Sequence, residues 1–274
     1  MYKKLRTAIA AAMLLSIPQM SFAQSPDLAS VEQFTVFTSV GAFNSVGTTS
    51  ITGDIGTNVG AFSGFPPGIV LGAIENENAT SATAALDLAD VYADLSTRTC
   101  DLVLSVTIGG GMTLTPANYC TGAATALTGA LILDGAGDPD ALFIIQIDGA
   151  FSAATFSSVS LINGASSCNV FWQVNGAVEI GANSSFAGNI VANGAITFLS
   201  TASLDGRALS ISGAIALSSN SMEKPESQNY YADMDNDGFG DPLNMLSDCS
   251  MPVGYVDNNM DCNESLATSC VFLL

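Results

Sequence analysis

The sequence predicts an all-β solenoid accompanied by one long helix, with a small acidic loop module at its carboxyl end. The 274 residues include 26 glycines, and five of these stand in a recurring pattern of apolar residue, any residue, Gly, Ala and apolar residue. The pattern occurs at residues 127–131, 147–151, 174–178, 192–196 and 211–215. Three of the four intervals between its glycines are 18 to 20 residues long. Such intervals are too short for a helical repeat and too long for a hairpin pair.

Each interval fits one coil of a β-helix, with about three short strands and a tight turn at each corner where glycine supplies unusual dihedral angles. Side chains alternate as strands require, because Val178 and Ile180 would point inward and Glu179 outward. Stacked coils would place Val178, Ile196 and Ile215 in one buried column, so each coil depends on its neighbours for stability. A β-sandwich is the alternative, but a sandwich does not require a near-constant spacing.

Residues 79–98 break the β pattern and predict an amphipathic helix. Its apolar positions, spaced i, i+3, i+4 and i+7, are Ala85, Leu88, Ala89, Tyr92 and Leu95. The acidic positions on the opposite side are Asp87, Asp90 and Asp94. We expect this helix to lie along the solenoid and to cover one of its walls.

The amino-terminal segment predicts export from the cell. Three basic residues, Lys3, Lys4 and Arg6, precede an apolar stretch, and Ser21-Phe22-Ala23 has the small-x-small pattern of a cleavage site. A retained membrane anchor is the alternative, but the apolar stretch is short for a span of about 30 Å. The predicted parts are a signal peptide at 1–23, a β-helix domain at 24–221, a polar linker at 222–229 and an acidic repeat at 230–274.

Charge and composition narrow the possible functions. The chain has 6 Lys and Arg, 25 Asp and Glu and no His, which gives a formal charge of −19. Without histidine, Ser-His-Asp, Cys-His and His-zinc chemistry are excluded, and the acidity argues against nucleic acid and anionic membranes as partners. A polysaccharide-degrading enzyme is a weak alternative, because Arg98 and Arg207 are far apart and Glu179 and Asp205 stand alone. We therefore expect no enzymatic activity.

Several segments resemble the large microbial ice-binding protein family. They occur in the family's order at 64–68, 96–100, 114–120, 141–147, 168–174 and 204–209, so the resemblance covers roughly residues 34–222. It implies a discontinuous right-handed β-helix of triangular section with an α-helix packed alongside. It also implies a secreted protein that adsorbs to ice and restrains its growth or recrystallisation.

A flat face of small polar side chains is the expected contact surface for ice. Parallel coils repeat about every 4.8 Å, close to the oxygen repeat in ice planes. The outward column after the Gly-Ala corners is irregular, since it would include Ile132, Glu179 and Ala216. The predicted ice-contacting residues are Ser152, Thr155, Asn183, Thr197, Thr201 and Ser219. The alternative is that these are ordinary solvated polar residues, with a scaffold that serves as a cell-surface adhesin.

The acidic tail predicts a calcium site. Carboxylates stand at positions 1, 3, 5 and 9 of a loop that begins at Asp233 and has Gly238 at position 6, a spacing that wraps oxygens around a hard cation. Position 12 is Asn244, so a second segment must complete the shell. The predicted ligands are Asp233, Asp235, Asp237, the carbonyl of Phe239, Asp241, Asp257 and Asp261. The tail resembles the calcium-binding repeats of secreted bacterial proteins and is similar to thrombospondin type 3 repeats; an acidic solvated loop is the alternative.

Export would permit disulfides. Cys100 and Cys120 flank a predicted strand pair and would close a loop of about 20 residues, which stabilises by roughly 3 kcal/mol. We expect Cys249 to pair with Cys262 within the tail and Cys168 to be a buried thiol. The tail is also the part that could attach the protein to a cell surface.

Overall fold

The computed structural model describes residues 25–249 and 251–261. They form a parallel β-solenoid with one α-helix against its wall, followed by a small antiparallel sheet. The predicted signal peptide at 1–23 and Cys262 lie outside the described residues. Within the described part of the chain, no helix has both the length and the apolar character needed to cross a membrane.

The solenoid is built from short strands interrupted by one helix. Before helix α1 (Ala79–Thr97) the strands are β1 (Phe34–Val40), β2 (Phe43–Val46), β3 (Ser50–Thr52), β4 (Asp54–Val59), β5 (Phe62–Ser63), β6 (Ile69–Leu71) and β7 (Ile74–Asn76). After the helix come β8 (Leu102–Val103), β9 (Thr107–Gly109), β10 (Met112–Leu114), β11 (Ala117–Thr121), β12 (Thr125–Thr128), β13 (Ala130–Asp134), β14 (Phe143–Ile147), β15 (Phe151–Ala153) and β16 (Ser158–Ile162). The solenoid ends with β17 (Val170–Val174), β18 (Val178–Ile180), β19 (Ser185–Ala192), β20 (Ile196–Phe198), β21 (Ser203–Ser212), β22 (Ile215–Ser218) and β23 (Ser221–Glu223). The tail contains β24 (Gln228–Ala232), β25 (Met245–Asp248) and β26 (Tyr255–Val256).

Three parallel sheets form the walls of the solenoid. Sheet 1 has the strand order β7-β4-β1-β21-β19-β17-β14-β11-β8. Sheet 2 has the order β6-β3-β23-β21-β19-β16-β13-β10, and sheet 3 the order β5-β2-β22-β20-β18-β15-β12-β9. Strands β19 and β21 are long enough to take part in both sheet 1 and sheet 2. The predicted solenoid is confirmed; its right-handedness stays a prediction.

The stack is discontinuous in sequence, as the resemblance implied. Strands β1–β3 pair with β21–β23 on one side and with β4–β6 on the other. Helix α1 then carries the chain along sheet 1 to the opposite end of the stack, where β8–β10 begin the remaining coils. We call the β8–β10 end the lower end and the β4–β7 end the upper end.

Helix length matches the stack. A helix of 19 residues spans about 28 Å at 1.5 Å per residue. In sheet 1 the helix contacts seven strands from β7 to β14, which are separated by six intervals of about 4.8 Å. The helix therefore extends along seven of the nine strands of sheet 1.

The helix begins with a capping box in which the Asn78 side chain accepts the Ser81 N–H and the Ser81 side chain accepts the Asn78 N–H. Its buried residues are Ser81, Ala84, Leu88, Val91 and Leu95. The predicted helix is confirmed, but the prediction placed Ala89 in the apolar stripe and Ala89 is exposed. The stripe is shifted toward Ala84 and Val91, which are buried against sheet 1, while Ala85 and Tyr92 are half-buried and pack at its edge.

The interior consists of columns of apolar side chains. Val178, Ile196 and Ile215 are paired in register and buried, so the predicted column is confirmed. Near the middle of the stack, the Trp172 ring lies 5.3 Å from the ring of Phe151, centroid to centroid. The indole N–H of this tryptophan donates a hydrogen bond of 3.1 Å to a main-chain carbonyl, so its one polar group is satisfied.

The corner glycines are required for close approach between coils. A Cβ at Gly213 would lie 2.2 Å from the backbone nitrogen of Ala195, and one at Gly194 would lie 2.8 Å from that of Ala177. Neither glycine has a positive φ. The expectation that these glycines supply unusual dihedral angles is therefore wrong for them, since the neighbouring backbone leaves no room for a side chain.

The described part of the chain contains two disulfides. Cys100–Cys120 is present, as predicted. Cys249 is bonded to Cys168 across 81 residues, so the expectations of a Cys249–Cys262 bond and of a free Cys168 thiol are wrong. The correction has a topological cause, because the loop between β16 and β17 brings Cys168 to the outside of the coil where the tail passes. The tail is thus covalently linked to the solenoid.

Candidate functional site

The outward surface of sheet 3 carries one side chain per coil in a continuous register. Going from the lower to the upper end, these side chains, which we call the outer ladder, are Thr107, Ala126, Ser152, Glu179, Thr197, Ala216, Asn44 and Ser63. Every member is exposed or half-buried, while the flanking residues of each strand mostly point into the core. Seven of the eight side chains are small and uncharged.

A column of alanines runs beside the outer ladder. Backbone hydrogen bonds between coils join these residues, the alanine column: Ala124, Ala150, Ala177, Ala195, Ala214, Ala42 and Ala61. All are exposed except Ala195, which is half-buried. The face of sheet 3 therefore combines methyl groups with short hydroxyl and amide groups, repeated at the spacing of parallel strands, about 4.8 Å.

The structure divides the predicted ice-contacting residues between two places. Ser152 and Thr197 belong to the outer ladder. Asn183, Thr201 and Ser219 stack at the corner between sheet 3 and sheet 2, where coil-to-coil hydrogen bonds link them. Each of the three has a positive φ between 51° and 61°, so their side chains leave the backbone in the same direction. The Thr201 hydroxyl donates to the Asn183 side-chain oxygen at 2.7 Å.

Thr155 does not belong to this corner column. Phe156 occupies the equivalent position instead. It has the same left-handed backbone, with φ 61°, its N–H bonds to the next coil, and its side chain is 74% exposed. In the coil below Asn183, the corner position is therefore occupied by the bulky ring of Phe156, and Thr155 lies one residue before that position.

Sequence reasoning missed half of the outer ladder. Thr107, Ala126, Asn44 and Ser63 complete it at the two ends of the stack. Ile132 was placed in this column instead of Ala126, but it lies on β13 in sheet 2, because Gly129 is at a different corner from the other motif glycines. The signal for the upper coils was present in the segments 40–43 and 59–62, both Val-Gly-Ala-Phe.

Glu179 is the charged member of the outer ladder. It lies in register between Ser152 and Thr197 and is exposed. Among the described basic residues, Arg207 is buried, Arg98 is paired with Asp94 and Lys224 lies beside Thr52 at the opposite side of the coil stack, so none forms an ion pair with this carboxylate. A groove of about 260 Å³ adjoins it, and Thr128, Ala154 and Gly181 are among its lining residues.

Sheet 2 carries a second regular column. Five serines stand in register along it: Ser158, Ser185, Ser203, Ser221 and Ser50. Two residues further along the strands, Asp205 and Glu223 are paired in register and both are exposed. Adjacent acidic side chains therefore interrupt this face, and the Ser167 hydroxyl covers part of it by donating to Asp205 at 2.7 Å.

The tail brings three aspartates together. Carboxylate oxygens of Asp233, Asp235 and Asp237 lie within 4.8 Å of one another. Backbone N–H groups of the loop donate to these carboxylates, including that of Gly238 to Asp233 at 3.0 Å. One oxygen each of Asp235 and Asp237 is buried without a hydrogen-bond partner. Such a donor set, with uncommitted oxygens, fits a hard cation.

Burial and neighbouring negative charges both act on Asp235. Removal from water and the charge of Asp237 raise the pKa of Asp235, with further contributions from Asp261 and Asp233. Asp261 is 2% exposed and its main-chain N–H donates to the Gly240 carbonyl, which brings the segment after β26 against the loop.

Two other predicted ligands, Asp241 and Asp257, do not belong to the group of carboxylates within 4.8 Å of one another, and their role as ligands stays a prediction. The Asp241 carboxylate accepts the Leu243 N–H at 2.8 Å, and Asp257 is exposed. Phe239 lies in the loop, where its N–H donates to Asp237 at 2.9 Å; a role for its carbonyl stays a prediction.

Comparison with known proteins connects this geometry to one family. The family profile described as Ice-binding-like matches residues 37–223. The chain is 38% identical over 176 residues to an ice-binding protein of Nostoc sp. (strain HG1), a match that covers 64% of this chain and 65% of that protein. It is 29% identical over 237 residues to ice-binding protein 1 of Shewanella frigidimarina (strain NCIMB 400), covering 73% of this chain and 26% of that protein. The chain thus matches less than two thirds of the length of either relative.

Solved structures show the same fold. The crystal structure of an ice binding protein from an Antarctic biological consortium has a TM-score of 0.71 and 36% identity, covering 76% of this chain and 96% of that one. That of an ice binding protein from an Antarctic bacterium, Flavobacteriaceae, has a TM-score of 0.72 and 38% identity, covering 77% and 51%.

Proposed function

The chain belongs to the Ice-binding-like family, and from this membership we propose that it binds ice through the outward surface of sheet 3 and restrains ice growth or recrystallisation. The observation that carries the proposal is the outer ladder beside the alanine column, which presents small methyl, hydroxyl and amide groups on seven of its eight coils. Sheet 1 is covered by the helix, and sheet 2 carries adjacent acids on its outward side.

The physical basis is the order that this face can impose on water. Short side chains on a rigid parallel sheet hold their methyl and polar groups in fixed positions, so water ordered over them loses little additional freedom. Spacing between coils is set by backbone hydrogen bonds at about 4.8 Å, and it does not depend on side-chain rotamers. A flat repeat of this kind matches a lattice better than it matches any small molecule.

A bulky substitution on the ladder tests the face. We expect Thr197→Tyr to abolish thermal hysteresis without changing the melting temperature, because the ring would project from the flat surface. Thr52→Tyr is the matched control, since Thr52 is outward on sheet 2. Loss of hysteresis in the Thr52 variant alone would assign ice contact to sheet 2. A folded protein without any hysteresis would instead favour an adhesin or structural module on the same scaffold.

We propose that the protein is not an enzyme. Glu179 and Asp205 lie on different sheets, so they do not form a pair of carboxylates at one bond. Asp205 and Glu223 are adjacent on sheet 2, but both are exposed on its outward side and Asp205 accepts the Ser167 hydroxyl. Arg207 is buried and Arg98 pairs with Asp94 at 2.6 Å, so neither is available on an open face to neutralise an acidic sugar.

Secretion is a further proposal. It is supported by the basic and apolar pattern of residues 1–23 and by two disulfides, which persist in oxidising compartments. Attachment to a cell surface through the tail stays a proposal on the sequence pattern alone.

We also propose that the tail binds calcium through Asp233, Asp235 and Asp237, with Asp261 completing the acidic shell. The support is the clustering of carboxylate oxygens within 4.8 Å and the two buried oxygens that lack hydrogen bonds. Bound Ca²⁺ would neutralise the repulsion that raises the pKa of Asp235. The cation would then join the loop to the segment after β26 and stabilise the tail.

Calorimetric titration of the whole protein with Ca²⁺ tests this site. We expect one binding event that Asp235→Asn abolishes, because the variant removes a central charge. Asp257→Asn is the control, since this exposed aspartate lies outside the cluster, and it should bind Ca²⁺ as the wild type does. Absence of binding to the wild type would leave the cluster as an acidic solvated loop.

A further inference from the structure

The outer ladder has two uncharged parts, one below and one above Glu179, and they differ in their properties. Below this residue stand three members, Thr107, Ala126 and Ser152. Above it stand four, which we call the upper ladder: Thr197, Ala216, Asn44 and Ser63. We propose, on the basis of the proposed function, that ice contacts only the upper ladder and that Glu179 sets the limit of the contact.

The first argument is the cost of dehydrating Glu179. Removing an ionised carboxylate from water is strongly unfavourable when no partner compensates the charge, so Glu179 keeps its own hydration shell. No described residue forms a hydrogen bond or an ion pair with this carboxylate. Water ordered around a charge is oriented differently from water in ice. A lattice that grew across this coil would have to displace that shell, and no ladder residue would form a compensating hydrogen bond or ion pair with the carboxylate.

The second argument is the shape of the surface below Glu179. The groove of about 260 Å³ lies mainly among residues of the lower coils, including Thr128 and Ala154, and one lining residue, Leu199, comes from the coil above Glu179. Three consecutive ladder members, Ala126, Ser152 and Glu179, also line it. A planar lattice fits a concave surface less well than a flat one, so the groove adds to the effect of the Glu179 charge but does not replace it as the limit of the contact.

The upper ladder has the opposite properties. Its four consecutive members are uncharged, and the Ser63 hydroxyl donates to the Asn44 side-chain oxygen at 3.0 Å, which fixes both side chains. The alanine column continues beside it through Ala195, Ala214, Ala42 and Ala61. The part of the face contributed by the first two coils of the chain thus joins the last two coils to form one uninterrupted patch.

Two alanines of the same ladder give a matched test. Ala216 and Ala126 are both outward, half-buried members, one above and one below Glu179. We expect Ala216→Tyr to lose thermal hysteresis and Ala126→Tyr to keep the wild-type value, with unchanged melting curves confirming that both variants fold. Equal loss in both variants would refute the confinement while leaving the proposed function intact. Loss in neither, with an active wild type, would move the contact to another face, and an inactive wild type would refute the proposed function itself.

The role of the carboxylate is tested separately. We expect Glu179→Thr to raise thermal hysteresis, because the ladder would then continue without a charge from Ser152 to Ser63. Glu179→Asp is the control that keeps the charge, and it should show no increase. Unchanged hysteresis in the threonine variant would refute the assignment of the limit to Glu179.

Discussion

At the scale of single residues, close packing of the coils depends on corner glycines, because a residue with a Cβ would not fit between neighbouring coils. The corner glycines form a continuous stack that includes Gly194, Gly213, Gly41 and Gly60, in which a Cβ on one residue would meet the backbone of the next coil. Gly41 would place its Cβ 2.2 Å from the Gly213 carbonyl oxygen, and Gly60 would do the same to Gly41. The stack therefore fixes how closely the coils approach at the edge of the proposed ice-binding face.

We expect Gly213→Ala to lower the free energy of unfolding by about 1–3 kcal/mol, the usual cost of overpacking. The added methyl group would lie 2.5 Å from the Cα of Ala195, so the coils must separate. Gly122→Ala is the control, since a Cβ there would meet nothing within 4 Å and the glycine has no positive φ. Urea unfolding of both variants measures the difference, and equal stability would contradict the close-approach argument.

Arg207 is the buried cation of the solenoid. It is 1% exposed and donates to the Asn189 side-chain oxygen at 2.9 Å and twice to the Glu32 carbonyl. Burial lowers the pKa of its guanidinium to about 10, although the charge of Glu32 opposes this, so the group stays protonated at neutral pH. It connects the segment before β1 to the same asparagine that holds the loop bearing Cys168.

Removing Arg207 should therefore be costly. We expect Arg207→Met to lower the free energy of unfolding by about 1–3 kcal/mol for each buried acceptor that is left without a donor. Arg98→Met is the control, since its ion pair with Asp94 is accessible to water and should contribute about 1 kcal/mol or less. If thermal or urea unfolding showed equal losses for the two variants, the buried network would have no special role.

At the scale of elements, helix α1 is held by one stripe of side chains. Leu88 is fully buried against sheet 1, while Leu86, two residues earlier, is 71% exposed. We expect Leu88→Ala to lower the free energy of unfolding by about 2–5 kcal/mol. Leu86→Ala should be close to neutral, because alanine is at least as favourable in a helix. Denaturant unfolding measures both, and a neutral Leu88 variant would show that the helix is not docked as described.

The repeat motif in the sequence was sufficient to predict the elements that recur at a regular spacing, but it did not predict the elements outside that spacing. The motif before β18, β20 and β22 predicted the buried column because its glycines have the same structural role in successive coils. The motif at Gly129 led to the wrong placement of Ile132, because this motif lies at a different corner of the coil and its residues do not indicate which corner it occupies. The two coils at the upper end were missed because they precede the helix, and nothing local indicates that they stack on the last coil.

The tail shows the same limit. Spacing of acids within one loop predicted the cluster of Asp233, Asp235 and Asp237, because a loop positions its own residues. Spacing did not predict that Asp241 would accept a backbone N–H or that Asp257 would be exposed. The predicted partner of Cys249 was wrong for the same reason, since the loop bearing Cys168 meets the tail only after the coils have stacked.

At the scale of the whole molecule, the discontinuous stack joins the first and last coils of the solenoid. Strand β3 pairs with β23, and the segment after β23 donates from Lys224 to the carbonyl of Thr52. The proposed ice-binding patch therefore forms only when the early and late coils have docked. Contacts between residues far apart in sequence make such folding slow but produce a rigid product.

The Cys168–Cys249 bond closes a loop over 81 residues that contains strands β17 to β25. In the chain-entropy model a loop of this length stabilises by about 4 kcal/mol, against about 3 kcal/mol for the 20-residue loop of Cys100–Cys120. We expect Cys168→Ala with Cys249→Ala to lower stability more than Cys100→Ala with Cys120→Ala, as measured by urea unfolding. Because the bond lies at sheet 2, away from the outer ladder, thermal hysteresis below the melting transition should be retained. Lost hysteresis in a folded variant would show that the tail also helps to form the ice-binding surface.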